Sequence, residues 1–423
     1  MIDQIEMYEV VQKFQNNKIH NIKEHIDAAL RNNAEVTALS KGAEIAITAG
    51  SRGISNIPEI LSEIVSVLKD LGHNPFLVPA MGSHGGSTAE GQIEVLQHLG
   101  ITEETIGAEI RSSMEVELIT HTKSGVPVYM DKHAYHADGI IIVNRIKAHT
   151  AFRGKVESGL SKMITIGLGK KMGASFVHSN GALKMAENIA DVSESALKHS
   201  PILMGIAIVE NGYDETAEIV GVTKDEWFKT EGELLERSKK MMPRLPLDNI
   251  DLLIVEEMGK IFSGTGMDPN IIGRWRIEGV PEPKTPNIHR IAVLDLAERS
   301  FGNAQGVGLA DFTTQRLVDR IDRKATYTNA ITSTYLQRAM LPFIYDSERT
   351  ALEAAIGSLG PSIDPKKAKI IQIPNTLHLD TLLVSKPVLE EMQELGVEFT
   401  TKSTSLLAFN ENNELTNRLT VYA

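Results

Sequence analysis

The sequence contains no cysteine. That absence excludes disulfides, zinc–thiolate and iron–sulfur sites, and a thiol nucleophile supplied by the chain. Any metal has to be held by histidine, by carboxylate, or by donors that a cofactor brings. A positive excess is missing too: the net charge is -12 and no basic tract offsets it, which argues against nucleic acid as a partner. No apolar run approaches the ~20 residues of a membrane span. The opening MIDQIEMYEV has neither the basic region nor the apolar core of a signal peptide. A cytoplasmic protein without membrane contact is therefore expected. No repeat of fixed period and no low-complexity tract is visible. The phosphate-loop signature is absent, and no G-x-G-x-x-G follows the first strand of either half; Gly167 and Gly169 are followed by Gly173, one residue too far.

What is present reads as a soluble enzyme. Hydrophobic residues make up 42% and charged residues 23% of a chain of 423, an ordinary composition and too much chain for one core, so two domains are expected. Residues 7–14, 43–48 and 75–80 carry strand patterns. Residues 22–30, 57–71 and 88–99 carry helical ones, the second with Ile60, Leu61, Ile64, Val65, Val67 and Leu68 on its apolar stripe. This βαβαβ alternation implies a parallel sheet with helices packed on it. Short strands follow within residues 113–130 and at 139–143, 203–209 and 217–222, with helices at 182–198 and 224–241. Pro243 and Pro246 stop the last helix and mark a boundary. The expected domains are an N-terminal α/β catalytic and cofactor-binding domain, 1–243, and a C-terminal α/β domain, 244–423, that closes the cleft. In the second, strands are expected at 251–255, 288–295, 341–345, 369–373, 382–384 and 397–399. Residues 311–340 read as helical in two pieces. The fold class is α/β: two domains with mainly parallel sheets and the active site in the interdomain cleft.

Parallel sheets bind ligands beyond the carboxyl ends of their strands. Three loops follow strands in the first domain, at 49–56, 81–87 and 144–158, and they carry Arg52, His84 and His149. His84 lies in GSHGGS, where flanking glycines leave the imidazole uncovered; a turn histidine is the plain alternative. His149 in KAHT would by itself pass for surface decoration, but two histidines on neighbouring loops suit acid/base work from two sides. Arg52 in GSRGIS can fork onto a carboxylate or phosphate, or be a surface arginine. Lys162 in SGLSKM has small, apolar neighbours. A lysine partly out of water has a lowered pKa and can act as nucleophile or covalent anchor; phosphate binding or snorkelling are the alternatives. His178, on a helix beginning near Lys171, is a half-buried helix histidine or, with a metal present, a ligand.

At these residues the chain resembles the nickel-pincer lactate racemase family. The match runs through the Arg52 loop, GSHGGS with His84, KAHTAF with His149, SGLSKM with Lys162, and His178, in that order and over nearly the whole chain. The resemblance implies a nickel-pincer nucleotide as cofactor: Ni(II) held by two sulfurs and a ring carbon of a modified pyridinium mononucleotide. By motif position Lys162 tethers it, His178 is the protein's nickel ligand, His84 and His149 are the acid/base pair, and Arg52 is an anion contact. Three cofactor donors and one imidazole make the square-planar site that nickel(II) favours, so a cysteine-free chain is no obstacle. The implied activity is an isomerase: racemisation or epimerisation of a 2-hydroxy acid by hydride abstraction and return, with the domains closing to exclude water. Cofactor-making enzymes are the implied partners besides the substrate.

Three features depart from the family pattern. Ala49 stands where an aspartate is expected three residues before the arginine. The His149–Lys162 interval is longer and contains Arg153, Lys155 and Glu157. Gly273 and Arg276 replace an expected glutamine and lysine. These changes point away from simple lactate and toward a more polar acid, such as a sugar acid or hydroxy-diacid, with Arg276 or Arg274 on its carboxylate. Two other readings compete. A nicotinamide-dependent 2-hydroxy acid dehydrogenase lacks its glycine fingerprint here. A non-catalytic anion- or metal-binding protein would not need the histidine pair.

Overall fold

The computed structural model describes residues 2–179, 181–361 and 363–420, leaving aside the side chains of 178, 179 and 182. The chain divides into two compact units, Gln15–Met242 and Met1–Phe14 with Pro243–Ala423. Fifteen strands are described: β1 Glu6–Gln12, β2 Glu44–Ala49, β3 Asn74–Pro79, β4 Val116–His121, β5 Pro127–Asp131, β6 Gly139–Arg145, β7 Ile202–Glu210, β8 Thr216–Thr223, β9 Asn249–Val255, β10 Asn287–Val293, β11 Phe312–Thr314, β12 Phe343–Tyr345, β13 Ile370–Ile373, β14 Thr381–Ser385 and β15 Phe399–Leu406.

In the unit Gln15–Met242 a five-stranded sheet runs β3-β2-β6-β7-β8. The first four strands are parallel and β8 returns antiparallel to β7. Alternation of side chains sends neighbouring residues to opposite cores. Ile45, Ile47, Ile141 and Val143 pack with helices Ile22–Arg31 and Ile57–Asp70 on one face. Ala46, Ile140 and Ile142 pack with helices Ala182–His199 and Trp227–Met241 on the other. Burial on both faces is why β6 reads as the unbroken apolar run GIIIV. The antiparallel pair β4–β5 forms a separate two-stranded ribbon.

The second unit holds an eight-stranded mixed sheet, ordered β12-β11-β10-β9-β13-β14-β1-β15. β9 to β13 run parallel, whereas β14, β1 and β15 pair antiparallel. Two expectations are corrected here. Residues 1–14 belong with the C-terminal part of the chain, because β1 fills the ladder between β14 and β15, with Met7 opposite both Ser385 and Ser405. Such a partner, more than 370 residues away, leaves no local pattern. The stretch 311–340 opens with β11 and only then continues as helices Gln315–Asp319 and Arg323–Ser333. β11 is three residues long, too short for a period to show. No helix among the described residues is long and apolar enough to cross a membrane.

Candidate active site

Because β2, β3 and β6 are parallel neighbours, the loops leaving their carboxyl ends emerge side by side. Arg52, His84 and His149 sit on these three loops. The His84 loop turns on Gly82, Gly85 and Gly86, all with φ between +62° and +64°. At Gly85 a Cβ would meet the backbone of Gly91 at 2.5 Å, so only glycine fits. His84 Nδ1 is hydrogen-bonded to the hydroxyl of Ser51, beside Arg52 on the β2 loop. The buried Gln92 holds the loop from behind, donating Nε2 to the carbonyls of Gly82 at 3.0 Å and His84 at 3.3 Å.

Gln92 Oε1 in turn accepts from Lys170 Nζ at 3.0 Å. Lys170 is fully buried, in a left-handed conformation with φ +50°. It also donates to Pro79 O at 2.5 Å and forms an ion pair with Asp131 at 3.2 Å. Lys170 opens the helix Lys170–Ser179, which carries His178. One buried ammonium thus ties the His84 loop, the end of β3 and the start of the His178 helix together. The side chain of His178 lies outside the described residues.

His149 is held by its backbone and its ring. Its N–H donates to Glu157 Oε2 at 2.7 Å, and its carbonyl accepts from Arg153 at 2.6 Å. The ring stacks on Phe152 with centroids 4.0 Å apart, and Nδ1 accepts from the N–H of Ala151 at 3.1 Å. An Nδ1 that accepts leaves the neutral ring's proton on Nε2. Glu157 is buried and paired with Lys239 at 3.1 Å. Lys147 and Ser158 exchange backbone hydrogen bonds, closing the longer interval into a loop of its own. The extra residues Arg153 and Glu157 are therefore the scaffold of the His149 loop.

Lys162 follows at once. It ends a short helix, Leu160–Lys162, that passes into a π-helix, Met163–Leu168. Wide turns of this kind recur at functional sites. Beneath it lies Glu231, buried, accepting from the Ser161 N–H at 3.1 Å and from the Ser161 hydroxyl at 2.5 Å. Trp227 Nε1 donates to the same hydroxyl at 3.1 Å. A Cβ on Gly159 would strike Glu231 Oε1 at 2.3 Å, so the carboxylate fills the glycine's place. Burial pushes the Glu231 carboxyl up to about 7, against the pull of the Ser161 and Leu160 bonds. Lys162 itself is half-buried and has no hydrogen bond or ion pair among the described residues. Burial, helped by the positive charge of Arg52, lowers its amine to about 8. Arg52 likewise has no partner among the described residues, whereas the nearby Arg145 is neutralised by Glu210. Two uncompensated cations on adjoining segments make an anion-receptive place.

Arg274 and Arg276 lie in the other unit and share one carboxylate, Asp311, at 2.7 and 2.9 Å. Arg274 also bonds the carbonyls of Leu309 and Ile288, and Arg276 that of Gly308. Both forks are thus engaged by the chain. Sequence reasoning missed Ser51, Gln92, Asp131 and Glu231, and gave Glu157 and Lys170 no role of their own. The readable signal was small: Trp227 is one of two tryptophans in the chain.

For the implied cofactor, the residues described fit a group held through an amine and an anion. Lys162 offers an unpartnered amine and Arg52 an unpartnered cation. Among the described residues no three His, Asp or Glu side chains gather as a metal site, so further donors to a metal here would come from the bound group.

These features define a class: a two-unit α/β protein with its candidate histidines on adjacent strand-end loops. Residues 2–188 match the family model of the lactate racemase N-terminal domain. The chain is also similar in structure to the lactate racemase apoprotein from Thermoanaerobacterium thermosaccharolyticum. The identity is 14%, the match covers 88% of this chain and 98% of that one, and the TM-score is 0.50. No curated protein matches the sequence. Its N-terminal part is thus similar to the lactate racemase N-terminal domain, and its fold to that of the lactate racemase apoprotein.

Proposed function

We propose that this protein is a racemase or epimerase of a 2-hydroxy acid that works with a nickel-pincer nucleotide tethered to Lys162. The observation that carries the reading is Lys162 itself: a half-buried amine with no partner among the described residues, lowered to about 8 and adjoined by Arg52. At neutral pH about a tenth of such an amine is unprotonated, hundreds of times more than for an ordinary lysine. It is available to form a covalent link, and Arg52 suits the phosphate of a mononucleotide.

When bound, the cofactor would supply a reversible hydride acceptor, and His178 is the residue that would hold its nickel. The chain's own groups do the rest. One of His84 and His149 takes the proton of the substrate hydroxyl while the other stands ready for the opposite enantiomer, and inversion requires such a pair. Ser51 orients the His84 ring through Nδ1, and Ala151 orients that of His149, so each ring presents Nε2.

The deciding experiment is the intact mass and nickel content of protein co-produced with cofactor-making enzymes. A mass increase mapping to Lys162, with about one nickel per chain, is expected. No adduct and no nickel, where a known family member loads under the same conditions, would sink the reading. In loaded protein, His84→Ala is expected to lose racemisation while the adduct on Lys162 persists.

A further inference from the structure

We propose that the free edge of β12 is a contact through which two copies of this chain pair. β12 ends the eight-stranded sheet and, among the described residues, is bonded to β11 alone. Phe343 N–H donates to Asp311 O at 2.9 Å. The next residue, Ile344, therefore turns its N–H and carbonyl away from β11, toward the open side.

The side chains around this edge are apolar and uncovered. Leu336, Met340, Leu341, Phe343 and Ile344 are exposed, Phe343 by 71%. Tyr327 and Ile331, one turn apart on the helix Arg323–Ser333, are exposed as well, Ile331 by 68%. Residues 325–345 contain one charged residue, Arg338, and it is buried with Nε on Trp275 O at 2.7 Å. At the chain's overall 23% charge, about five would be expected. Natural sheet edges are usually guarded by such charges.

The occupant that fits is a second copy. Seven large side chains, somewhat more than half exposed, offer roughly 700–800 Å² of apolar surface. That exceeds the patch an ordinary monomer shows, roughly 300–600 Å², and equals one partner's share of a standard interface, about 800 Å². Two β12 strands meeting antiparallel across a twofold axis at Ile344 exchange their N–H and carbonyl groups. Such a contact uses the same surface on both partners and closes the assembly at two copies, leaving neither β12 edge open.

The cysteine-free chain allows a direct test. Ile344→Cys is expected to give a disulfide-linked dimer on mild oxidation, because paired residues at a twofold lie within disulfide reach. Leu395→Cys, in the same unit and 65% exposed, is expected to stay single. By sedimentation the natural chain is expected to run at twice its chain mass, and Phe343→Asp to raise the dissociation constant about a hundredfold or more. Folding of Phe343→Asp is checked by circular dichroism, and the Ile344→Cys result stands apart from it. A natural chain that is monomeric at high micromolar concentration overturns the proposal. So does a dimer that fails to cross-link at residue 344, which would place the interface elsewhere.

Discussion

Lys162 and Lys170 stand eight residues apart in one continuous stretch, and the fold withdraws both from water, yet it treats them in opposite ways. Lys170 is given three acceptors, one of them the Asp131 carboxylate. Burial lowers its amine, and Asp131 works against that lowering. Lys162 is given no partner among the described residues, and the charged group that acts on it, Arg52, is of like sign. Burial alone does not make a lysine reactive; burial without a carboxylate does. Lys170 is a brace, whereas Lys162 is left without a counter-charge among the described residues.

The largest break in this comparison is expected from Lys162→Ala. Cofactor-dependent activity falls to background, while melting stays level or rises, since a costly half-buried charge is removed. The sign of the pH dependence follows. With an amine at about 8 in the folded state against 10.5 when unfolded, the unfolded chain binds more protons between those values. Stability contributed by Lys162 is therefore full above 10.5 and is lost as pH falls through 8, an effect of order 1–2 kcal/mol. Lys162→Met is expected to flatten that part of the melting-temperature profile.

Lys170→Met should do the reverse. It strands Asp131 and the carbonyl of Pro79 in the core, at about 3–5 kcal/mol, and lowers the melting temperature by roughly 10 °C. A melting temperature within 2 °C or so of the natural chain would show that Lys170 braces nothing.

A smaller and sharper distinction lies in reactivity. A water-soluble acylating reagent is expected to label Lys162 with a midpoint near pH 8 and to leave Lys170 unlabelled, as read by peptide mass spectrometry. Arg52→Gln removes the repulsion and moves that midpoint upward. Smallest is Glu231→Gln beneath Lys162. The carboxyl, raised to about 7 from 4.5, holds its proton longer when folded. Its contribution is present below pH 4.5 and lost as pH rises toward 7. The substitution is expected to erase that slope, observed as melting temperatures that no longer decline between pH 4.5 and 7.

The site was legible in part, and the division follows chemistry. The candidates are those whose neighbours single them out: His84 between glycines, Lys162 among small apolar residues, His149 just after a buried strand. Residues that act through space are not singled out in this way. Gln92 reaches Lys170 across 78 positions, Ser161 reaches Glu231 across 70, and neither pair shares a local pattern. Glu157 was noted as part of a longer interval, but its hold on the His149 backbone appears only once the loop is closed between Lys147 and Ser158. Arg274 and Arg276 looked available for a substrate because their shared counter-ion, Asp311, lies more than 30 residues onward.

By itself the sequence determined the strand and helix alternation of the first unit, because two-sided burial writes itself as apolar runs and 3.6-residue stripes. It also determined the chemical types available: two loop histidines, a shielded lysine, no thiol. Only the tertiary structure decided that β1 joins the sheet of the C-terminal unit, that β12 is left as an open edge, and which of the two lysines receives a counter-charge. Each of these depends on a partner distant in the chain, and pairing energies of that kind are set by what the fold brings near, not by what the chain places next.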